Sequence, residues 1–124
     1  MFIKQPFDEF LGFEYERLDD SRLQIRMPIR ELFINSAGIV HGGVISALAD
    51  VAMSNLVPAD PNGVQQTVTV DLNVSFMRPA SGASLLAEAR IEKQGRTLVH
   101  AECSICNDKR ELVAKAKAIL FRNS

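Results

Sequence analysis

The sequence predicts an α+β fold in which one long helix is wrapped by a curved antiparallel β-sheet. The only long helical pattern runs from about His41 or Gly42 to about Leu56. Six shorter runs alternate between apolar and polar side chains, as strands covered on one face do. Because the helix is too apolar to lie on a surface, we expect the sheet to curl around it, in the order β-β-α-β-β-β-β.

The first part of the chain predicts an arm, a hairpin and the helix. Residues 2–12 mix aromatic and charged side chains, which indicates a short helix or an irregular arm that covers apolar surface. Residues 13–18 and 22–29 alternate on either side of an Asp-Asp-Ser turn signal, as a β-hairpin does. A connection over residues 30–40 leads into the helix, and a proline shortly after it helps to end it.

The second part of the chain predicts four strands. The alternation over residues 67–76 places Val68, Val70, Leu72, Val74 and Phe76 on an apolar face, and Thr67, Thr69, Asp71, Asn73 and Ser75 on a polar face. Three further runs, over about 84–93, 96–107 and 110–121, are separated by breaks that fit hairpin turns. Cys103 and Cys106 lie in one of these runs and would point to opposite faces, so we interpret them as ordinary thiols.

Composition and charge narrow the possible functions. The 124 residues suffice for one core, and 47% hydrophobic with 23% charged residues is ordinary for a globular domain. A net charge of −1 and the absence of Trp give no basis for binding nucleic acid or an anionic membrane. No apolar run approaches the roughly 18 residues that span a bilayer, and acidic residues interrupt the N-terminal segment where a signal peptide needs its apolar core. We expect a single domain over residues 1–124, in a cytoplasmic protein.

The two sides of the helix differ in a way that predicts an active site. One broad face carries Val44, Ile45, Leu48, Val51, Ala52 and Leu56, and the opposite stripe carries Gly43, Ala47, Asp50 and Ser54. A carboxylate in such a stripe must be hydrated, paired or functional, since burying it unpaired is costly. The glycines at the start of the helix leave backbone N–H groups free at the positive end of the helix dipole.

A resemblance to a known family rests on two motifs. These are Asn35 to His41-Gly42-Gly43 and Asp50, followed by Val70-Asp71-Leu72-Asn73 and Phe76-Met77-Arg78-Pro79. Together they resemble the hotdog-fold acyl-CoA thioesterases of the phenylacetic-acid-degradation type, within the 4-hydroxybenzoyl-CoA thioesterase superfamily. The resemblance covers about residues 12–121. It implies hydrolysis of an aryl- or medium-chain acyl-CoA without a metal or bound cofactor, by a homodimer that assembles further into a homotetramer.

The resemblance also implies roles for the candidate residues. Asp50 matches the catalytic carboxylate, as general base or nucleophile, and the Gly42 N–H matches the group that polarises the thioester carbonyl. Asn35 matches an amide that positions water or substrate, and His41 matches the residue beside the oxyanion donor. The substrate-binding candidates are Gly43, Ser54, Thr69, Arg78 and Arg96. Independently of the resemblance, the positive charges of Arg78, Lys93 and Arg96 could contact CoA phosphates.

Spacing along the helix favours a site shared between subunits. Gly42 and Asp50 are eight residues apart, which is about 12 Å along a helix. One thioester carbon can hardly meet both groups of one chain, whereas a two-fold dimer with antiparallel central helices brings them together.

Each candidate residue also has a purely structural interpretation. Asp50 could be a buried acid paired with an Arg, and His41 a helix cap or a dimer contact. Gly42 and Gly43 could simply permit close packing, and Asn35 could stabilise its own turn. At the level of function, the alternatives are an acyl-CoA-binding protein without activity and a hydratase or dehydratase of the same fold.

Overall fold

The computed structural model describes residues 2–123, which form two α-helices, one 3-10 turn and six strands. The helices are α1 (Pro6–Leu11) and α2 (Gly42–Ser54), and the 3-10 turn is Glu31–Phe33. The strands are β1 (Glu14–Asp19), β2 (Arg22–Pro28), β3 (Thr67–Phe76), β4 (Ser84–Gln94), β5 (Leu98–Asn107) and β6 (Leu112–Arg122). The predicted α+β architecture is confirmed, and the arm over residues 2–12 contains a short helix.

All six strands belong to one antiparallel sheet in the order β1-β2-β4-β5-β6-β3. The chain leaves β2, crosses the sheet as α2 and returns at the opposite edge as β3, so that α2 packs against β2, β3, β4, β5 and β6. The segment that leads into the helix is tied to the β3–β4 connection, because the Val40 N–H donates to the Ala80 carbonyl at 3.0 Å. The start of α2 therefore lies at the end of the sheet where β3 finishes and β4 begins.

The buried face of α2 is rotated relative to the predicted one. Its buried residues are Ile45, Leu48, Ala49, Ala52, Met53 and Ser54, with Leu56 buried just beyond the helix. Val44 and Val51, predicted to be central, are only partly buried. Ala49 and Met53 face the sheet in place of Val44 and Val51. An apolar flank of the helix, formed by Val44, Ala47 and Val51, therefore stays partly open.

A β-bulge in β3 makes the predicted alternation of that strand wrong over its first half. Thr69 pairs with Leu120 but Asp71 pairs with Ile119, so two residues oppose one and the side-chain phase shifts. Before the bulge Thr67 and Thr69 point toward α2, whereas Val68 and Val70 are 55% and 58% exposed. After the bulge Leu72 and Val74 point inward, as predicted.

Buried polar contacts join the N-terminal arm to the end of α2. The Ile3 N–H donates to Asn55 Oδ1 at 2.8 Å, and Asn55 Nδ2 donates to the Val51 carbonyl at 2.9 Å. Arg17 on β1 donates to the Asn55 carbonyl at 2.7 Å, a favourable place for a cation at the negative end of a helix. No helix within residues 2–123 is long and apolar enough to cross a membrane.

Candidate active site

A hydrogen bond holds the carboxylate in the middle of α2. Thr69 Oγ1 donates to Asp50 Oδ1 at 2.7 Å, across the space between the helix and the edge strand. The bulge in β3 makes this contact possible, because regular alternation would have pointed Thr69 away from the helix. No Lys, Arg or His among the described residues forms an ion pair with Asp50. The hydroxyl of Thr69 is therefore its side-chain partner within the chain.

The start of α2 presents unpaired backbone donors. His41 is the N-cap, and its carbonyl accepts the N–H groups of Val44 and Ile45 at 3.0 and 3.2 Å. The N–H groups of Gly42 and Gly43 find no acceptor within residues 2–123. Because the imidazole of His41 makes no capping hydrogen bond either, both donors are available to an anionic or partly anionic oxygen.

Asn35 takes part in a turn and still lines the site. Its side-chain oxygen accepts the N–H groups of Ala37 and Ile39 at 2.9 and 3.3 Å, which fixes the loop before α2. The Nδ2 group has no acceptor among the described residues. The turn therefore leaves one amide donor of Asn35 free for a ligand.

A mostly apolar cavity of about 400 Å³ lies at the start of α2 and is bordered by both Asn35 and Gly42. Its walls are formed by Asn35, Ile39, Val40, Gly42, Ile45, Phe76, Met77, Arg78, Pro79 and Ala80. A groove of similar size on the opposite face of the sheet, about 410 Å³, contains none of the candidate residues. The cavity at the helix start is therefore the one that matches the predicted chemistry.

The candidate residues fall into two groups within the chain. Gly42 and Asn35 share the cavity, whereas Asp50 lies farther along α2, where Thr69 of β3 donates to it. Ser54 is buried one turn beyond Asp50. The eight-residue spacing places the two groups about 12 Å apart along the helix axis. The chain thus carries the backbone donors at one place and the carboxylate at another.

Comparison with known proteins reveals the family. The model of the thioesterase superfamily matches residues 37–114, a region that includes α2 and ends in β6. The chain belongs to the thioesterase superfamily. Its fold is the hotdog fold, and its reaction class is thioester hydrolysis.

Individual relatives agree with the superfamily assignment. A candidate esterase of Halobacterium salinarum is 40% identical over 101 residues, which is 77% of this chain and 66% of that protein. Acyl-coenzyme A thioesterase 13 of Mus musculus is 32% identical over 69% of this chain and 61% of its own length. The chain therefore spans slightly less than two thirds of these two relatives.

Two solved structures superimpose along nearly the whole chain. The BH2602 protein of Bacillus halodurans, solved with CoA, has a TM-score of 0.85 at 30% identity, covering 98% of this chain and 80% of that chain. The PaaI protein of the phenylacetic acid degradation operon of E. coli has a TM-score of 0.87 at 22% identity, covering 98% and 86%. At 22% identity, the similarity to the PaaI protein concerns the fold alone.

The basic candidate residues of this thioesterase differ in how close they lie to the cavity. Arg78 lines the cavity, but its guanidinium donates to Glu111 Oε2 at 2.8 Å and to the Leu112 carbonyl at 3.1 Å. Lys93 and Arg96 lie near the β4–β5 turn, at the end of the sheet away from the start of α2. Of the three, Arg78 alone lines the cavity.

Two further features complete the description of reactive groups. Cys103 is buried and Cys106 partly exposed, both as free thiols, and burial raises the pKa of the Cys103 thiol to about 12. Within residues 2–123 no three His, Cys, Asp or Glu side chains are grouped so as to hold a metal ion. The alternation of β5 places the two thiols on opposite faces, as predicted.

Sequence reasoning missed Phe76 as a residue of the site. The alternation of β3 assigned it to the core, yet it is 53% exposed and lines the cavity beside Gly42. The available signal was its place at the very end of a strand, immediately before the Met-Arg-Pro turn. A side chain there can leave the core and reach the helix start.

Proposed function

We propose that this thioesterase hydrolyses an aryl- or medium-chain acyl-CoA to the free acid and CoA, in a site that two subunits share. The observation that carries the proposal is the Thr69–Asp50 hydrogen bond in the middle of α2, about 12 Å along the helix from the unpaired N–H groups at its start. The CoA bound to the Bacillus halodurans neighbour and the name of the mouse relative support a CoA thioester as substrate.

The proposed reaction uses the carboxylate and the backbone donors in sequence. Acting as general base, Asp50 takes a proton from water, whose oxygen attacks the thioester carbonyl carbon. The carbonyl oxygen becomes an oxyanion that accepts the N–H of Gly42, a contact worth about 3 kcal/mol. Collapse breaks the C–S bond, and the proton held by Asp50 neutralises the departing thiolate of CoA. In the alternative mechanism, Asp50 attacks the carbonyl carbon as a nucleophile, CoA leaves, and water hydrolyses the acyl anhydride that has formed.

The remaining candidates assist these two groups. The Thr69 hydroxyl fixes Asp50 Oδ1 and leaves Oδ2 to meet the water. The free Nδ2 of Asn35 and the N–H of Gly43 orient the substrate, and His41 lies beside the oxyanion donor. Arg78 meets the CoA phosphates at the cavity edge by exchanging part of its contact with Glu111. No cofactor takes part, since CoA belongs to the substrate.

The surfaces next to Asp50 support the proposal that two subunits share the site. The open flank of α2 is apolar, and β3 is an edge strand whose outer backbone groups have no strand partner among the described residues. A second copy related by a two-fold axis would cover both, and antiparallel α2 helices would bring Gly42 of one subunit beside Asp50 of the other. We propose a homodimer of this kind, which assembles further into a homotetramer.

The test is thiol release from a panel of phenylacetyl-, hydroxybenzoyl-, short-chain and medium-chain CoA thioesters. We expect turnover with the aryl or medium-chain members, and a loss of at least about 100-fold in kcat for Asp50→Asn. Asp20→Asn, in the exposed β1–β2 turn, is the matched control and should match the wild type.

Two results would contradict the proposal. Equal turnover by Asp50→Asn and the wild type would make Asp50 a structural residue. No release from any thioester, together with retained binding of CoA esters, would leave a binding protein without activity.

A further inference from the structure

The ring of Phe76 lies directly on the first residue of α2. A Cβ atom placed on Gly42 would be 3.2 Å from Phe76 Cζ, 3.5 Å from Cε1 and 3.8 Å from Cε2. The shortest of these distances is tighter than an ordinary van der Waals contact. Any side chain larger than hydrogen at position 42 therefore forces the ring to shift.

This contact gives one reason for a glycine at position 42. Its φ is not among the positive values of the chain, so the backbone conformation there is open to other residues. The N–H donor does not require glycine either, because every residue except proline supplies one. What glycine alone provides is room for the aromatic ring.

The position of Phe76 is fixed by backbone contacts on both sides. It pairs with Ala114 at the end of β3, and the next two N–H groups, of Met77 and Arg78, donate to the Val113 carbonyl at 2.7 and 3.3 Å. Although anchored in this way, the ring is 53% exposed and lines the cavity. A half-exposed phenylalanine stabilises the fold less than a buried one, so its position favours a role in the cavity.

We propose that Phe76 is a positioning residue in thioester hydrolysis. Its ring forms an apolar wall over the first turn of α2, excludes water from the side of the Gly42 N–H and confines the thioester carbonyl to the donor. Hydrogen bonds to a developing oxyanion are stronger where water is excluded. This inference rests on the proposed function, because it assigns the oxyanion to the Gly42 donor.

The ring of Phe76 should stabilise the transition state more than the bound substrate. The thioester carbonyl carries little charge in the bound substrate and a full charge in the tetrahedral intermediate. Shielding of the donor from water therefore lowers the barrier more than it strengthens substrate binding. Loss of the ring should reduce kcat and leave KM nearly unchanged.

The experiment is a double-mutant cycle on a CoA thioester that the wild type hydrolyses. We expect Phe76→Ala to lower kcat by about 10-fold or more, while Phe76→Leu, which keeps an apolar wall, retains most of the activity. Gly42→Ala keeps the N–H donor but displaces the ring, so kcat should fall. Because leucine has no atom at the Cζ position, adding Phe76→Leu to Gly42→Ala should restore much of the loss.

Controls separate this role from a general effect on folding or assembly. Phe121 is 45% exposed, lies on the outer face of the sheet and is absent from the cavity. Phe121→Ala should therefore leave kcat unchanged. Circular dichroism and size-exclusion chromatography establish that each variant keeps the wild-type fold and assembly, and the Leu variants provide the test if Phe76→Ala does not fold.

Several outcomes would overturn the inference. Wild-type or increased kcat for Phe76→Ala would mean that the ring is neutral or obstructs the site. A change confined to KM would make Phe76 a binding residue only, and additive effects of Gly42→Ala and Phe76→Leu would show that the two positions act independently. A wild type that hydrolyses no thioester would instead remove the proposed function, and this inference with it.

Discussion

Asp8 lies on the short helix α1 of the N-terminal arm, and its carboxyl group is buried. It is 5% exposed and lies beside the buried hydroxyl of Tyr15, whose ring stacks on Phe2. Burial raises the pKa of Asp8, and its interaction with the Tyr15 hydroxyl offsets part of that rise. Burial, with the nearby Asp8 charge, also raises the pKa of Tyr15 well above its usual range. The charged form of Asp8 therefore destabilises the folded state.

The pH dependence of stability follows from this raised pKa. The folded protein holds the Asp8 proton more tightly than the unfolded chain, whose value is near 3.8. The free energy of unfolding therefore falls as the pH rises from the unfolded value through the folded one, and it stays reduced at neutral pH. We expect Asp8→Asn to raise Tm at pH 7 and the difference to shrink toward pH 4. Thermal melts across this range measure both.

Glu9 provides the control for that measurement. It is the next residue of α1 but is exposed, so Glu9→Gln should leave the pH dependence of Tm as in the wild type. An Asp8→Asn protein that melts at a lower temperature than the wild type at pH 7 would show that the carboxylate is better satisfied than its burial indicates.

The comparison of Asp8 with Asp50 shows what a sequence can reveal about single residues. Asp50 stands out because it interrupts an apolar helix, and the motif around it matches a known family. Asp8 lies among charged residues that look solvent-exposed, and only the folding of the arm over β1 buries it. Local periodicity predicts the first case, whereas the second depends on a long-range contact.

At the scale of elements, Asn55 joins the N-terminal arm, α2 and β1. Its side chain accepts the Ile3 N–H and donates to Val51, its carbonyl accepts Arg17, and it is fully buried. These contacts fix the end of the helix that carries Asp50. The sequence predicted an arm and a helix end here, but a lone Asn gives no signal that it connects them.

We expect Asn55→Ala to lower the free energy of unfolding by about 2–3 kcal/mol, because the buried Ile3 N–H loses its partner and the Val51 carbonyl loses one of its two donors. Hydrogen exchange should accelerate selectively at residues 2–12. Urea unfolding and exchange mass spectrometry measure these effects. Asn62→Ala, in the exposed loop before β3, should change neither, and an Asn55→Ala protein with unchanged exchange in the arm would refute the role of this contact.

In strand β3, some features can be predicted from the sequence and others cannot. Its existence, its limits and its later inward residues, Leu72 and Val74, follow from the alternation. The bulge does not, because an inserted residue leaves the pattern of residue types regular while the backbone changes phase. The predicted polar face of the strand therefore contained Thr69, which in the structure holds Asp50.

At the scale of the whole molecule, mixing of subunits can test whether one active site combines Gly42 of one subunit with Asp50 of the other. Gly42→Pro removes the donor at the first position of α2, where the helix backbone accepts proline, and its ring also displaces Phe76. Asp50→Asn removes the carboxylate, so each variant alone should be inactive. In a mixed dimer, one of the two sites combines an intact Gly42 with an intact Asp50. Equal mixing and reassembly should therefore restore about a quarter of the wild-type activity.

The measurement is thiol release before and after the variants are unfolded and refolded together. Mixing without subunit exchange is the control and should give no activity. An inactive mixture in which size-exclusion chromatography and mass spectrometry detect mixed dimers would show that both groups of each site come from one chain.

The bulge that orients Thr69 also affects the surface on the other side of the sheet. It leaves Val68 and Val70 facing outward, and Val68 is directly paired with Phe121, which in turn is paired with Leu98. Three exposed apolar side chains thus form a row across neighbouring strands, beginning at a free strand edge. Such a row attracts other apolar surfaces. The same inserted residue that orients the hydroxyl for Asp50 therefore also creates an exposed apolar row on the outer face of the sheet.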